Sequence, residues 1–180
     1  MERTLTRPLA LSQAASGILG VTLFTLLTAL GAFVRIPLPF TPVPVTLQAF
    51  FVFLSAVMLG KKAALSQILY LTIGAAGMPV FSGAAGGFAH LLGPTGGYLL
   101  GFAAAAWAVG AITRKYRNPA DMILALLIGV AIIYTAGAVH LGVLLRLSPL
   151  KAVQMGMLPF IIGDLVKVAA VVAVARAMKR

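Results

Sequence analysis

Asp164 and Lys167 are the two residues whose chemistry fits worst with their neighbours. They lie in Gly163-Asp164-Leu165-Val166-Lys167, inside the last long apolar stretch of the chain, and Asp164 is the one acid away from the edge of a hydrophobic segment. An unpaired charge at mid-bilayer costs at least ~3 kcal/mol on the gentlest scale. The i, i+3 spacing puts both side chains on one helical face, so each offsets the other's charge. One reading makes this a ligand site, in which Asp164 accepts hydrogen bonds from paired N–H groups and Lys167 offers a cation and donors to a carbonyl or carboxylate. The bland reading makes it an ion pair that fixes helix register. Ionisable groups inside a membrane favour the first.

The membrane follows from composition. Of 180 residues, 61% are hydrophobic and 9% charged, against roughly 25% charged in a soluble domain. No polar block is long enough to fold separately, so residues 1–180 read as a single membrane domain. The net charge of +11 is not a nucleic-acid signal, because the basic residues are scattered between apolar segments without a stripe or interleaved aromatics. They read as topology markers and anionic-lipid contacts. Cysteine is absent, which excludes disulfides, thiolate metal sites and cysteine nucleophiles. The first apolar run is long enough to span and lacks a clear cleavage site, so it reads as a retained helix.

Apolar runs occupy about 14–34, 44–60, 63–80, 96–113, 120–140 and 157–176. A span needs about 20 residues, so the second and third runs, broken by Lys61-Lys62, are either two short helices or one re-entrant hairpin; two spans are expected. Pro37, Pro39, Pro42 and Pro44 forbid regular helix and define an extended connection over Arg35 to Val45. With the N-terminus inside, Arg3, Arg7, Lys61, Lys62, Arg114, Lys115, Arg117, Arg176, Lys179 and Arg180 all fall on the cytoplasmic side. Only Arg35, Arg146 and Lys151 fall outside. That bias supports an all-α protein of six transmembrane helices with both termini cytoplasmic. Ser148-Pro149 reads as an N-cap followed by a first-turn proline, starting a surface helix over about 149–156. Residues 77–97, with seven Gly and two Pro, form a long loop on the same outer face, onto which the Asp164 end of the last span opens.

Other candidates sit around that face. Gly83, Gly86 and Gly87 either let backbone N–H groups approach a ligand or merely allow tight turns; no strand–turn–helix unit makes them a dinucleotide fingerprint. Gly97 and Gly101 form a small-residue ridge for close helix packing, while Tyr98 between them either stacks on a ligand or anchors at the interface. Arg35 snorkels to the outer interface or contacts an anionic ligand group. Gln48 hydrogen-bonds a ligand or a neighbouring helix. His90 and His140 read as satisfied histidines rather than metal ligands. Ala10 and Ala14, with Gly17, make a small-residue stripe able to dock another helix. No GxxxxGK[ST], HExxH or GxSxG sequence occurs. The three acids in the chain leave little for a hydrolase or a proton-coupled pump.

Three blocks, RIPLPFTPVPVTLQAFFV, GMPVFSGAAGGFAHLLGPTGGYLLGF and GMLPFIIGDLVK, closely resemble the BioY family, the biotin-specific substrate-capture (S) components of energy-coupling-factor (ECF) transporters. The likeness runs over essentially the whole chain. It implies six transmembrane helices, cytoplasmic ends and a biotin pocket near the outer face. It also implies a transmembrane coupling subunit and two ATP-binding subunits as partners in a prokaryotic cytoplasmic membrane, and no enzymatic activity, metal or cofactor of the chain's own. By the same likeness Asp164 and Lys167 contact biotin's polar groups, the segment of Gly83, Gly86 and Gly87 covers the ligand, and Arg35, Gln48 and Tyr98 line the site. Thr22 and Thr25 depart from the pattern, standing where many relatives carry alanine on the docking surface of the first helix; His140 stands where an aromatic is common. The rival readings are an S component for another small vitamin, a small membrane enzyme acting on a lipid-like substrate, and a purely structural subunit.

Overall fold

The computed structural model describes residues 7–115 and 118–178, with side chains from residue 15 onward. Ala10 and Ala14 therefore lie outside the residues whose side chains are described. The chain forms α1 (Arg7–Phe33), strands β1 (Arg35–Leu38) and β2 (Thr41–Thr46), α2 (Gln48–Leu59), a 3₁₀ turn (Gly60–Lys62) and α3 (Ala63–Ala75). There follow the short α4 (Phe88–Leu91), α5 (Gly96–Lys115), α6 (Pro119–Leu144), α7 (Pro149–Gly156), a second 3₁₀ turn (Leu158–Phe160) and α8 (Ile161–Ala177).

Among the described residues, five helical stretches are long and apolar enough to cross a bilayer, the second running from Gln48 to Ala75. That stretch is not one rod. Gln48 Nε2 donates to Tyr70 Oη at 2.6 Å, and Gln67 reaches Ser55 at 3.5 Å. In a straight helix Gln48 and Tyr70 would stand roughly 33 Å apart at ~1.5 Å per residue, so α3 must run back along α2. The reversal occurs at Gly60, whose φ of +61° suits glycine. Its tip rests on α5: a Cβ on Gly60 would strike the Arg114 side chain, and one on Gly110 would strike the Gly60 carbonyl. Lys61, Lys62 and Arg114 thus gather at one rim of the bundle.

The proline-rich connection is an antiparallel two-stranded hairpin, with Arg35 opposite Thr46 and Ile36 opposite Val45. Both strands are edges, which is where proline, lacking an N–H, is tolerated. The register slips between Ile36 and Leu38, around Pro37. Asn118 caps α6, its side chain accepting from the Asp121 N–H at 2.8 Å with Pro119 following. Ser148 caps α7 in the same way.

The tightest helix pair is α5 with α6. A Cβ on Gly97 would meet the Ala136 carbonyl and one on Gly137 the Tyr98 ring, while one on Gly101 would lie 3.1 Å from Ile133 Cα. Here small residues let backbones close on one another, the usual device where lipid gives no hydrophobic drive for helix association. Ile18, Leu19, Leu26, Leu30, Ile162 and Val166 are exposed on the bundle's outside, as a lipid-facing surface requires. Thr22 is exposed, but Thr25 is buried and donates to the Ser66 carbonyl at 3.0 Å. Thr25 therefore belongs to the α1–α3 contact and not to a docking surface.

Candidate functional site

One cavity of about 590 Å³, counted out to its open mouth, lies at the rim opposite the lysine turn. Strand β2 and the start of α2 form one wall, and α5 and α6 form the floor. The 3₁₀ turn and α8 form the far wall, and the loop between α3 and α5 closes the top.

Asp164 and Lys167 sit at its far wall. The ammonium donates to Asp164 Oδ1 at 2.6 Å, and the Tyr134 hydroxyl donates to Oδ2 at 2.8 Å. Asp164 is 7% exposed, so its carboxylate is held by two donors from two helices rather than by water. Each carboxylate oxygen keeps a lone pair, and Lys167 keeps N–H groups not spent on Asp164. The far wall thus offers both acceptors and donors, a few ångströms apart, to a planar polar head. Phe160 lies beside them, its ring centroid 6.4 Å from Tyr134 and 6.1 Å from Tyr98.

Gln48 and Tyr98 also line the cavity. Gln48 is tied at both ends: Thr46 Oγ1 donates to its carbonyl at 3.2 Å, and its amide donates to Tyr70, whose hydroxyl donates on to the Val80 carbonyl at 3.1 Å. This chain links hairpin, α2, α3 and loop across one side of the site. Tyr98 is buried and its hydroxyl donates to the Gly156 carbonyl at 2.7 Å, which closes α5 onto the end of α7 and turns the ring to the cavity.

Arg35, Gly83, Gly86 and Gly87 are not on the cavity lining. Arg35 is exposed at the start of β1, and a Cβ on Gly83 would lie 2.6 Å from its Nη1. Gly83 and Gly87 have φ of +85° and +94°, and the Gly87 N–H donates to the Gly74 carbonyl at 2.7 Å. Gly86 is pressed on the Met78 and Gly77 carbonyls. Their glycine identity serves the folding of the loop on itself. That fold centres on Phe81, fully buried, seated on Gly74 and flanked by Tyr70 and His90.

Several lining residues escape a sequence reading. Tyr134 stands in an aliphatic span thirty residues before its partner; a lone phenol in such a stretch was the available signal. Ser82 and His90 come from the loop. His90 is hydrogen-bonded to Thr95, with 3.2 Å between Nε2 and Oγ1, and burial lowers its pKa below 6.5. His140 is satisfied away from the lining, its Nε2 3.0 Å from the Gly93 carbonyl.

A polytopic helical membrane protein with an open-mouthed cavity beside a buried ion pair is the class this architecture defines. A crystal structure described as the S-component for biotin from an ECF-type ABC transporter matches it with a TM-score of 0.87 at 27% identity, covering 93% of each chain. The biotin transporter BioY of Thermotoga maritima is 41% identical over 159 residues, which is 88% of this chain and 92% of the relative. The probable biotin transporter BioY of Pyrococcus horikoshii is 42% identical over 160 residues, 88% and 93% of the two chains. The BioY family profile matches residues 3–180. The chain belongs to the BioY family.

Proposed function

We propose that this protein is the biotin-capturing S component of an ECF-type transporter. It takes biotin from outside a prokaryotic cytoplasmic membrane and passes it inward at the expense of ATP hydrolysed by partner subunits. The observation that carries the reading is the Asp164–Lys167–Tyr134 constellation on the wall of an open-mouthed cavity, in a chain of this family. Biotin presents a planar ureido head with two N–H donors and one carbonyl, an apolar bicycle and a carboxylate tail. The Asp164 carboxylate suits the ureido N–H groups and Lys167 the ureido oxygen, while Tyr98 and Phe160 supply aromatic walls and Gln48 a polar flank. The loop carrying Gly83, Gly86 and Gly87, braced by Arg35, closes over the occupied site. The chain performs no chemistry of its own.

The remaining assignments come from the charge pattern and the family. The α2–α3 hairpin counts as two short crossings, which with α1, α5, α6 and α8 makes six in a single membrane domain. The gathering of Lys61, Lys62 and Arg114 at one rim supports a cytoplasmic rim carrying both termini. A transmembrane coupling subunit docks on this side, with Ala10 and Ala14 as candidate contacts, and two ATP-binding subunits complete the transporter.

The test is equilibrium binding of biotin to purified protein in detergent, beside other small vitamins. A nanomolar affinity, ~−12 kcal/mol, is expected. Asp164→Asn or Lys167→Ala should each lose at least ~2 kcal/mol, because each strands a buried partner. Absence of biotin binding, or variants that bind like the parent, would refute the reading.

A further inference from the structure

A second groove lies at the other end of the bundle, on the outside of the α1–α3 contact. Ile18, Val21 and Thr22 of α1 face Leu65 and Leu69 of α3 across it, and Gly17 and Lys62 stand at its end. Farther along, the Thr25 hydroxyl ties the two helices together by donating to the Ser66 carbonyl at 3.0 Å. Ile18, Thr22, Leu65 and Lys62 are all exposed. The lining is aliphatic except for one hydroxyl and one ammonium.

The two ends of the groove lie at different depths. Lys62 belongs to the 3₁₀ turn that also carries Lys61, whose ammonium lies over the Trp107 ring at 5.6 Å. Trp107 is the chain's one tryptophan, and it is exposed. Tryptophan and basic residues gather where hydrocarbon meets headgroups, which puts this turn at that level. From Lys62 to Leu69 the chain advances roughly 10 Å at ~1.5 Å per residue. The groove therefore runs from the headgroup layer into hydrocarbon, and its occupant must be polar at one end and apolar along the rest.

Charge decides what kind of polar end that is. Among the described residues no carboxylate pairs with Lys62, since the ion pair there is Asp164 with Lys167. Asp121, the acid at the start of α6, is not on the groove. Lys61 adjoins Lys62 in the same turn, and the Arg114 side chain packs against Gly60, so the polar end of the groove is wholly cationic. A partner helix laid into the groove finds its closest approach taken. The Lys62 ammonium lies 3.2 Å from where a Cβ on Gly17 would stand, and so covers the lining's one glycine. An ammonium placed there suits an anion, and basic pockets between membrane helices are the usual seats of acidic headgroups.

We propose that the α1–α3 groove is a binding site for one anionic glycerophospholipid, with its phosphate on Lys62 and an acyl chain along Val21, Thr22, Leu65 and Leu69. The site lies at the end of the bundle away from the Asp164 cavity and does not rest on the biotin reading. A lipid seated there joins α1 to the α2–α3 turn, and it stabilises the folded bundle in step with its affinity.

The experiment is native mass spectrometry of the full chain in detergent with equal amounts of phosphatidylglycerol and phosphatidylcholine carrying the same acyl chains. The parent should retain one phosphatidylglycerol in preference to phosphatidylcholine. Lys62→Gln should cut that preference about fivefold, the worth of one lysine at an anionic surface. Thr22→Trp, which fills the groove from an exposed position, should lower retention of both lipids. Arg176→Gln, exposed near the end of α8 and off the groove, should stay within about twofold of the parent. Added phosphatidylglycerol should also raise the melting temperature of the parent and of Arg176→Gln more than that of Lys62→Gln, which separates a lost site from a lost fold. The proposal is overturned if the parent shows no preference for the anionic lipid. Equal losses in Lys62→Gln and Arg176→Gln also overturn it, since they mean diffuse attraction to a basic rim. So does a Thr22→Trp variant that holds lipid like the parent, which leaves the groove to a protein partner. Biotin enters none of these readouts, so the result stands apart from the test of function above.

Discussion

Tyr134 shows how one hydroxyl can set the character of a buried acid. With Lys167 it leaves Asp164 with a donor on each oxygen, at 2.6 and 2.8 Å, so the carboxylate meets a ligand already oriented. Tyr134→Phe keeps the ring and deletes the donor. It should weaken biotin binding by ~1 kcal/mol, less than Asp164→Asn, and calorimetric titration of the two variants side by side checks the order. His90 makes a second, pH-dependent prediction. Burial lowers its pKa below 6.5, whereas an undocked loop would expose the imidazole and restore the ordinary value. The undocked form then binds more protons in the window just below pH 6.5. Docking of the unliganded loop is therefore fully favourable above pH 6.5 and weakens as pH falls toward the lowered value. Hydrogen-exchange opening free energies for Phe81 and Gly87, corrected for intrinsic rates, should fall on acidification, and in His90→Phe they should stay flat.

At the scale of elements, contact between helices is governed by glycines rather than by large side chains. Gly110 meets the backbone of the α2–α3 turn, and Gly137 receives the Tyr98 ring. A side chain at either position has backbone or a buried aromatic ring to displace, not the flexible end of a side chain. Gly110→Leu should cost ~1–3 kcal/mol, seen as a lower melting temperature in detergent, whereas Gly77→Ser, with open space around its Cβ, should cost only the strain of a positive φ. Equal effects would mean that the turn does not bear on α5. The sequence showed which segments are helical because hydropathy and proline act locally. The Pro37–Pro44 connection was legible as extended, since proline forbids helix at short range. Its pairing into a hairpin with Arg35 opposite Thr46 was not, because register depends on what covers the strands.

For the whole molecule, sidedness is the property to test. The chain has no cysteine, so single introduced thiols report directly. Lys62→Cys and Asn118→Cys should react with an impermeant maleimide only after the membrane is opened, and Ser148→Cys should react in intact cells. Labelling of Lys62→Cys and Ser148→Cys from the same side would refute the proposed six-crossing arrangement and with it the proposal that the cavity opens outward.

Sequence alone determined that this chain lives in lipid, where its helices break, and that Asp164 and Lys167 share a helix face. All three follow from composition or from spacing within one helical turn. Only the tertiary structure decided that Tyr134 completes the pair, that Gln48 is held by Tyr70, and that Ser82 has no hydrogen-bond partner among the described residues. Those relations join residues twenty or more positions apart or depend on a space between helices. No local rule encodes them, because they exist only once separate apolar segments have packed against one another.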